Sequence, residues 1–396
     1  MAERQSSALP PAPSYILRGH TGQIHSVRFV RQNSRLLTGD ADGWVVYWKV
    51  ETKRALAVWK AHDAAILGTE EWGHDKIITH GRDNSLRVWQ LRVQDENTLS
   101  TVLPAEDAAT PRPKPWLLHT LPVNTLNFCA FSACQEQLPE VSVLRDDSHI
   151  AHTSAAPRSA PILIATPSTD DKKINVYQLP EEQLKFVVPK VATVDTGMVM
   201  ALKILHQHAS KSILVLAGYE GGLTAVHNLP RGQSSTARIA DLVYLSKPHS
   251  QPILSLDASP DGKMFFTSAA DARVVTIQPP QKTTNTKHSG QQSLRVRSDG
   301  RILATGGWDT RIRIYSTKTL KEVAFLKWHK EGVYAVDFAT ILDPAELEKH
   351  DGAEGEVARR GNGLGKLQKQ REEQMQLKHW VVAGAKDGKV SLWEAF

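Results

Sequence analysis

Leu36-Leu37-Thr38-Gly39-Asp40-Ala41-Asp42-Gly43-Trp44-Val45-Val46-Tyr47-Trp48 holds the fold in miniature. An apolar pair leads to a hydroxyl, a glycine and two acids break the run, and a second apolar segment ends on tryptophan. This reads as strand, tight turn, strand. The same grammar returns at 77–89 (IITHGRDNSLRVW), 303–315 (LATGGWDTRIRIY) and 381–393 (VVAGAKDGKVSLW). In each, an Asp stands four residues after the small residue and an aromatic six after the Asp. Looser copies lie at 163–177, 215–227 and 265–277, where Tyr177, His227 and Ile277 take the aromatic's place.

Outward from these units, a His precedes a short apolar strand: Gly19-His20 before 24–29, Ala61-His62 before 65–68, Trp328-His329 before 333–338. Outer strand, His, strand, turn Asp and aromatic-ended strand make the four-stranded blade of a WD-repeat propeller. Seven units give an all-β, seven-bladed ring. The last unit ends immediately after its third strand, leaving an edge open to unwanted pairing. Residues 14–18 (SYILR), directly before the first Gly-His, are expected to fill it, so that the N-terminal strand closes the last blade. One propeller over 14–396 is expected, with a disordered tail at 1–13.

The recurring polar residues point inward. His20, Thr38, Asp42 and Trp48 are expected to form one hydrogen-bonded set, and His62, Thr79, Asp83 and Trp89 a second. Asp271, Thr305, Asp309, His329, Asp387 and Trp393 are members of the later sets. In each the carboxylate holds the imidazole, which reaches the hydroxyl and the indole N–H. His, Asp and Thr together resemble a catalytic relay, but a single active site is not copied around a ring, so the sets read as structural and the chain as no enzyme. Binding residues are sought just before each turn Asp, on the face shared by the turns into the first strand and between the second and third. These are Arg82, Glu220, Trp308 and Lys386. Trp308 leads, because tryptophan is enriched at binding hot spots.

Three long insertions interrupt the pattern, at 92–115, 130–160 and 339–378, all expected on the opposite face. The first is rich in Pro and Ala and reads as a stiff or disordered linker. The second shows no periodicity. The third contains 364–379 (LGKLQKQREEQMQLKH), strong helix formers with only a thin apolar stripe of Leu367, Met375 and Leu377.

Composition closes off several classes. The chain has 396 residues, 48 basic and 42 acidic, for a net charge of +6. Its Lys and Arg are scattered among acids rather than gathered in a stripe, so direct nucleic-acid binding is not expected. Two cysteines, Cys129 and Cys134, suit a reducing compartment and lack the second pair of a zinc site. The opening residues carry no apolar signal core, and no run approaches the ~20 residues of a membrane span. Gly361 to Lys366 fails the phosphate-loop template, since no Ser or Thr follows the Lys. Trp308-Asp309-Thr310-Arg311 spells the W-D-x-R of ubiquitin-ligase receptors, but at a turn rather than at the end of a third strand.

Residues 15–20 (YILRGH), 37–44 (LTGDADGW), 58–62 (VWKAH), 80–83 (HGRD) and 383–388 (AGAKDG) resemble the fungal ASTRA-associated protein 1 family. Its metazoan relatives are described as G-protein-beta-like. The resemblance spans nearly the whole chain, the middle blades and insertions contributing little. It implies a nuclear, non-catalytic scaffold of the ASTRA assembly, with Tel2, Tti1, Tti2, the Rvb helicases and Tra1 as partners. It also implies a link to chromatin remodelling and to maturation of phosphatidylinositol-3-kinase-related kinases. No cofactor is implied. The competing classes are a G-protein-beta-like signalling adaptor and a ubiquitin-ligase substrate receptor. The first would carry a long N-terminal coiled-coil helix, where this chain opens on Pro- and Ser-rich residues.

Overall fold

The computed structural model describes residues 12–124, 128–137, 160–207, 210–230, 232, 236–277, 281–345 and 363–394. Among these residues the strands form seven sheets arranged as the blades of a β-propeller. Taking strands a to d from the axis outward, blade 1 is Ile24–Val30, Arg35–Asp40, Trp44–Lys49 and Arg54–Lys60. Blade 2 is Ile66–Trp72, Lys76–Gly81, Ser85–Gln90 and Trp116–Pro122. Blades 3 and 4 begin at Ser132–Gln135 and Val199–Gln207, blades 5 and 6 at Ile253–Ala258 and Gln291–Val296. Blade 7 comprises Val333–Phe338, Trp380–Ala385 and Val390–Glu394, and Tyr15–Leu17 supplies its outer strand. That strand runs antiparallel to the third, Tyr15 opposite Leu392 and Leu17 opposite Val390, so the ring is shut by the two ends of the chain as the sequence pattern requires.

Burial follows from this stacking. Strands b and c are covered on both faces by neighbouring blades: all six residues of Arg35–Asp40 are buried, its polar members among them. Outer strands keep one face in water, as in Glu322–Lys327, where only Leu326 is buried. Blades meet closely at their turns. Gly43 in the b–c turn of blade 1 has φ +85°, and a Cβ there would run into the carbonyl of His62 in blade 2.

Strand a is bulged near its start in six blades, between Ile24/Ser26, Ile66/Gly68, Val199/Ala201, Ile253/Ser255, Gln291/Ser293 and Val333/Ala335. A bulge inserts one residue and re-aims its side chain.

The insertions differ from their reading. Residues 92–115 form an ordered strap. A 3₁₀ turn, Val93–Thr98, leads onto the outer edge of blade 1, where the Ser100 carbonyl accepts from Val58 N at 2.8 Å. Further along, Ala105 N donates to the Gly19 carbonyl at 2.8 Å, and the Arg112 guanidinium lies 4.6 Å from the Trp44 ring. Composition suggested a linker, but Leu99 and Leu103 find apolar partners on blade 1 and Glu96 a buried Arg35. The stretch 130–160 holds the first strand of blade 3, Ser132–Gln135, and 138–159 lies outside the described residues. The short Ser-Ala-Cys-Gln strand carries too little apolar text to be recognised. In 339–378, residues 346–362 lie outside the description and a helix spans Gly363–Gln376. Leu367 on it is exposed, whereas its C-terminal end is tied to blade 1. Gln376 donates to the Gln32 carbonyl at 2.9 Å, Asn33 donates to the Gln376 carbonyl at 2.9 Å, and Glu372 pairs with Arg35 at 2.7 Å. Of the expected tail at 1–13, residues 1–11 lie outside the description. No helix among the described residues is long and apolar enough to cross a membrane.

Candidate interaction face of the propeller

The polar sets sit in the blade walls. In blade 2, Trp89 Nε1 donates to Thr79 Oγ1 at 2.9 Å, Thr79 lies 2.8 Å from His62 Nε2, and His62 Nδ1 lies 2.8 Å from Asp83. A carboxylate only accepts, so Nδ1 is the donor and Nε2 receives the hydroxyl proton: one chain runs indole to hydroxyl to imidazole to carboxylate. Burial works against the Asp83 charge, but hydrogen bonds from His62 and Ser85 outweigh it and hold the carboxyl below the usual range. Blade 5 repeats the chain through His249, Asp271 at 3.0 Å and Thr267 at 2.9 Å, with Ile277 in the indole's place. Burial lowers the His249 pKa, and Asp271 offsets this only in part.

Blade 1 corrects the expected set. His20 Nδ1 bonds Asp40 at 2.7 Å, not Asp42; Nε2 bonds Thr38 at 2.7 Å, which accepts from Trp48 Nε1 at 2.8 Å. Asp42 is exposed and, among the described residues, its carboxylate accepts only from the Thr21 hydroxyl, at 3.1 Å. The acid can come from either of two places. Asp40 stands two residues after Thr38 and points inward. At the matching place in blade 2 stands Gly81, where a Cβ would strike the His62 ring, so the carboxylate comes from Asp83, four residues after the hydroxyl.

The other blades substitute. In blade 6, Thr305 donates to Gln291 at 2.8 Å in place of a His, and Asp309 is held by both terminal nitrogens of Arg313, at 3.0 and 2.6 Å. Blade 7 has Ala383 where the hydroxyl belongs. Ser391, its cross-strand partner, takes over, meeting His329 Nε2 and Trp393 Nε1, each at 2.8 Å, while Asp387 lies 3.2 Å from His329 Nδ1. In blade 4 the His227 imidazole is buried with no hydrogen-bond partner on either nitrogen among the described residues, and burial pushes its pKa down to about 4.

The exposed chemistry lies at one end of the central channel, on the face of the d–a and b–c turns. A cavity of about 400 Å³ opens there. The residue inserted by each of the six bulges lines it: His25, Leu67, Met200, Leu254, Gln292 and Tyr334. Blade 3 contributes Phe128 and Phe131. Of the four binding residues expected from sequence, Trp308 lines this cavity, 45% exposed, with its indole N–H donating to Gln292 at 2.8 Å. Its ring lies against Gly290, φ +76°, where a Cβ would collide with it. Arg82 borders the cavity, its guanidinium 4.3 Å from the Phe128 ring. Glu220 and Lys386 are exposed in the turns of blades 4 and 7 and do not line it; Glu220 accepts from Met198 N at 3.3 Å. The far end of the channel is charged and internally paired, with Arg28 on Glu70 at 2.6 Å and Lys203 on Asp257 at 2.8 Å. Trp308 to Thr310 forms the b–c turn of blade 6 and Arg311 begins its third strand, so the four residues do not stand at that strand's end.

The ring of seven sheets, with its recurrent polar residues engaged inside the blades, defines the class: a seven-bladed β-propeller. The family model for ASTRA-associated protein 1 matches residues 13–393. The chain is 45% identical to ASTRA-associated protein 1 of Verticillium alfalfae, over 98% of this chain and 93% of that protein. It is 40% identical to that of Aspergillus flavus over 98% of each chain, and 30% identical to that of Schizosaccharomyces pombe over 83% of this chain. The chain belongs to the ASTRA-associated protein 1 family.

Proposed function

We propose that this propeller is a non-catalytic scaffold subunit of the ASTRA assembly, working in the nucleus. There it would hold Tel2, Tti1 and Tti2 together with the Rvb helicases and Tra1, in support of chromatin remodelling and the maturation of phosphatidylinositol-3-kinase-related kinases. The observation that carries the reading is family membership along nearly the whole chain, with relatives named for association with ASTRA. The geometry supports a scaffold. The His–Asp–hydroxyl chains recur in blades 1, 2, 5 and 7, with each imidazole buried and fixed between a hydroxyl and a carboxylate rather than turned to a substrate.

Affinity purification of the tagged protein from nuclear extract tests this. Tel2, Tti1 and Tti2 are expected at comparable amounts with the bait. Recovery of a G-protein alpha subunit or a cullin adaptor without them overturns the reading. Fluorescent tagging reads the nuclear localisation directly.

A further inference from the structure

We propose that the groove between blades 4 and 5 takes the indole ring of a tryptophan presented by an uncharged segment of a partner protein. This deepens the scaffold reading and rests on it. The groove is a cavity of about 570 Å³ beside the a–b turn of blade 4. Leu214, Val226 and Val243 of blade 4 face Phe265 and Ile277 of blade 5 across it.

The chain fills the equivalent place itself between blades 1 and 2. By pairing register, Leu214, Val226 and Val243 stand where blade 1 has Arg35, Tyr47 and Leu56, and Phe265 and Ile277 where blade 2 has Ile77 and Trp89. There Tyr47, Ile77 and Trp89 share one cluster, Leu99 of the 92–115 strap packs against it, and Glu96 accepts from Arg35 at 3.0 Å. Between blades 4 and 5, valine replaces the tyrosine and isoleucine the tryptophan. Phe265 and Tyr244 exceed Ile77 and Ala57, yet the cavity remains. The link that makes the strap in blade 2 runs over 91–115; in blade 5 it is 277–282, and Lys282 N already donates to Thr276 Oγ1 at 2.7 Å. That link is too short to lie along the outer strand of blade 4 as the strap lies along that of blade 1.

The lining sets the occupant's chemistry. No charged side chain lines the cavity among the described residues, so an ion placed there would lose its water and gain no counter-charge. Asn228, cross-strand from Leu214, lines it with its side-chain oxygen buried and without a hydrogen-bond partner among the described residues. An orphaned acceptor in an apolar wall calls for one donor from the occupant. The polar rim of Gln207, Ser210 and Ser212 is bonded to itself. A flat apolar ring with one N–H at its edge meets both demands, and tryptophan holds the Ile277 position in blades 1, 2 and 7, as Trp48, Trp89 and Trp393. Exposed Ile239 and Leu242 continue the apolar surface outward from Val243, where the flanking residues of such a segment would lie.

The test uses the full chain labelled at its isoleucine δ1 methyls, with the Ile277 signal assigned by Ile277→Val. The probes are capped, uncharged pentapeptides with a central Trp, 1-methyl-Trp or Ala. The Trp peptide is expected to move the Ile277 methyl and to bind at least tenfold more tightly than the Ala peptide. It should bind about fivefold more tightly than the 1-methyl-Trp peptide, the worth of one neutral hydrogen bond. Asn228→Leu keeps the volume, removes the acceptor, and should bring those two peptides within twofold of each other. Val243→Glu, at the exposed rim, should weaken binding at least tenfold, whereas Val323→Glu, likewise exposed but on the outer strand of blade 6, should leave it unchanged. Four results each overturn the proposal. They are a Trp peptide no tighter than its Ala twin, a 1-methyl-Trp peptide that binds wild type as well as Trp does, an Ile277 methyl that moves on tenfold dilution of the free protein, as a second copy in the groove requires, and one that moves on deletion of 138–159, as an occupant from this chain requires. If peptides fail while Tel2, Tti1 and Tti2 still co-purify, the groove falls and the scaffold reading stands; the converse result removes the scaffold reading alone.

Discussion

Asp40 and Asp42 are separated by one residue, and the structure assigns them opposite weights. Asp40 is fully buried and accepts three hydrogen bonds: from His20 Nδ1 at 2.7 Å, Asp42 N at 3.0 Å and Trp44 N at 2.9 Å. Asp40→Ala strands those donors and releases the imidazole that positions Thr38 and Trp48. A buried donor left unpaired costs roughly 1–3 kcal/mol, and partial rehydration at the turn recovers some of the total. The expected loss is about 3–5 kcal/mol, within the range for breaking one side of a buried pair. Asp42→Ala removes one exposed contact, a change of ~0.5 kcal/mol. Urea unfolding separates the two. With a denaturant slope of about 3 kcal/mol/M, Asp40→Ala moves the midpoint down by ~1 M or more and Asp42→Ala by ~0.2 M. If Asp42→Ala is the more damaging, the assignment of the carboxylate in blade 1 is wrong, and with it the account of how the acid changes place between blades.

Three more perturbations read other parts of the molecule. His227 has its pKa held at about 4, against 6.5 when exposed. The unfolded chain therefore takes up the proton first, and the stability present above pH ~6.5 declines at about 1.4 kcal/mol per pH unit until pH ~4. His227→Phe should accordingly gain on wild type in urea midpoint at pH 5 relative to pH 7.5; an equal difference at both pH values refutes the buried neutral imidazole. Ser391→Ala breaks the bonds to His329 and Trp393 and should cost about 1–3 kcal/mol. Adding Ala383→Thr, which restores the hydroxyl from the paired position on strand b, should recover most of that stability, and a double variant no better than the single one counts against the exchange. Arg35→Ala leaves Glu96 and Glu372 without their guanidinium, at about 3–5 kcal/mol. Hydrogen exchange should rise in both 93–98 and 363–376, and protection unchanged in either segment disconnects it from Arg35.

The blade count was legible because strands b and c are buried on both faces, which forces continuous apolar runs around a turn acid. Closure was legible because an open sheet edge calls for a partner strand, and Tyr15–Leu17 pairs antiparallel with the third strand of blade 7. The polar sets were legible where spacing is regular, as in blade 2. They failed where side-chain direction decides. Asp40 and Asp42 differ only in which carboxylate turns inward, and Ser391 lies on a different strand from the hydroxyl it replaces. The channel mouth was barely legible. Trp308 stood out as a residue type, but its neighbours come from six sequence-distant bulges, and a bulge changes pairing without changing composition. Leu99 and Glu96 could have argued for an ordered strap at 92–115, since an apolar residue and an acid in a Pro-rich stretch are of use only against a surface.

The two ends of the channel are consequently unequal. On the face of the a–b turns, the charges are paired among themselves and blade 1 is covered by the chain's own additions. The turn Arg31–Gln32–Asn33 holds three successive left-handed residues, with φ of 53, 49 and 66°. A conformation that costly for non-glycine residues persists only where the surroundings enforce it. Here Asn33 is held by Thr340 and Gln376, and Arg31 by Glu71 and the Leu91 carbonyl. The ordered additions thus stiffen blade 1 on this face and along its outer edge, where the 92–115 strap reaches Gly19 and Trp44, while Trp308 and Phe128 stay exposed at the channel mouth. A ring fastened in this way presents its surface in a fixed geometry, so a partner meets an ordered surface and loses little further entropy in ordering it. For this propeller, the 363–376 helix should therefore be treated first as part of the platform.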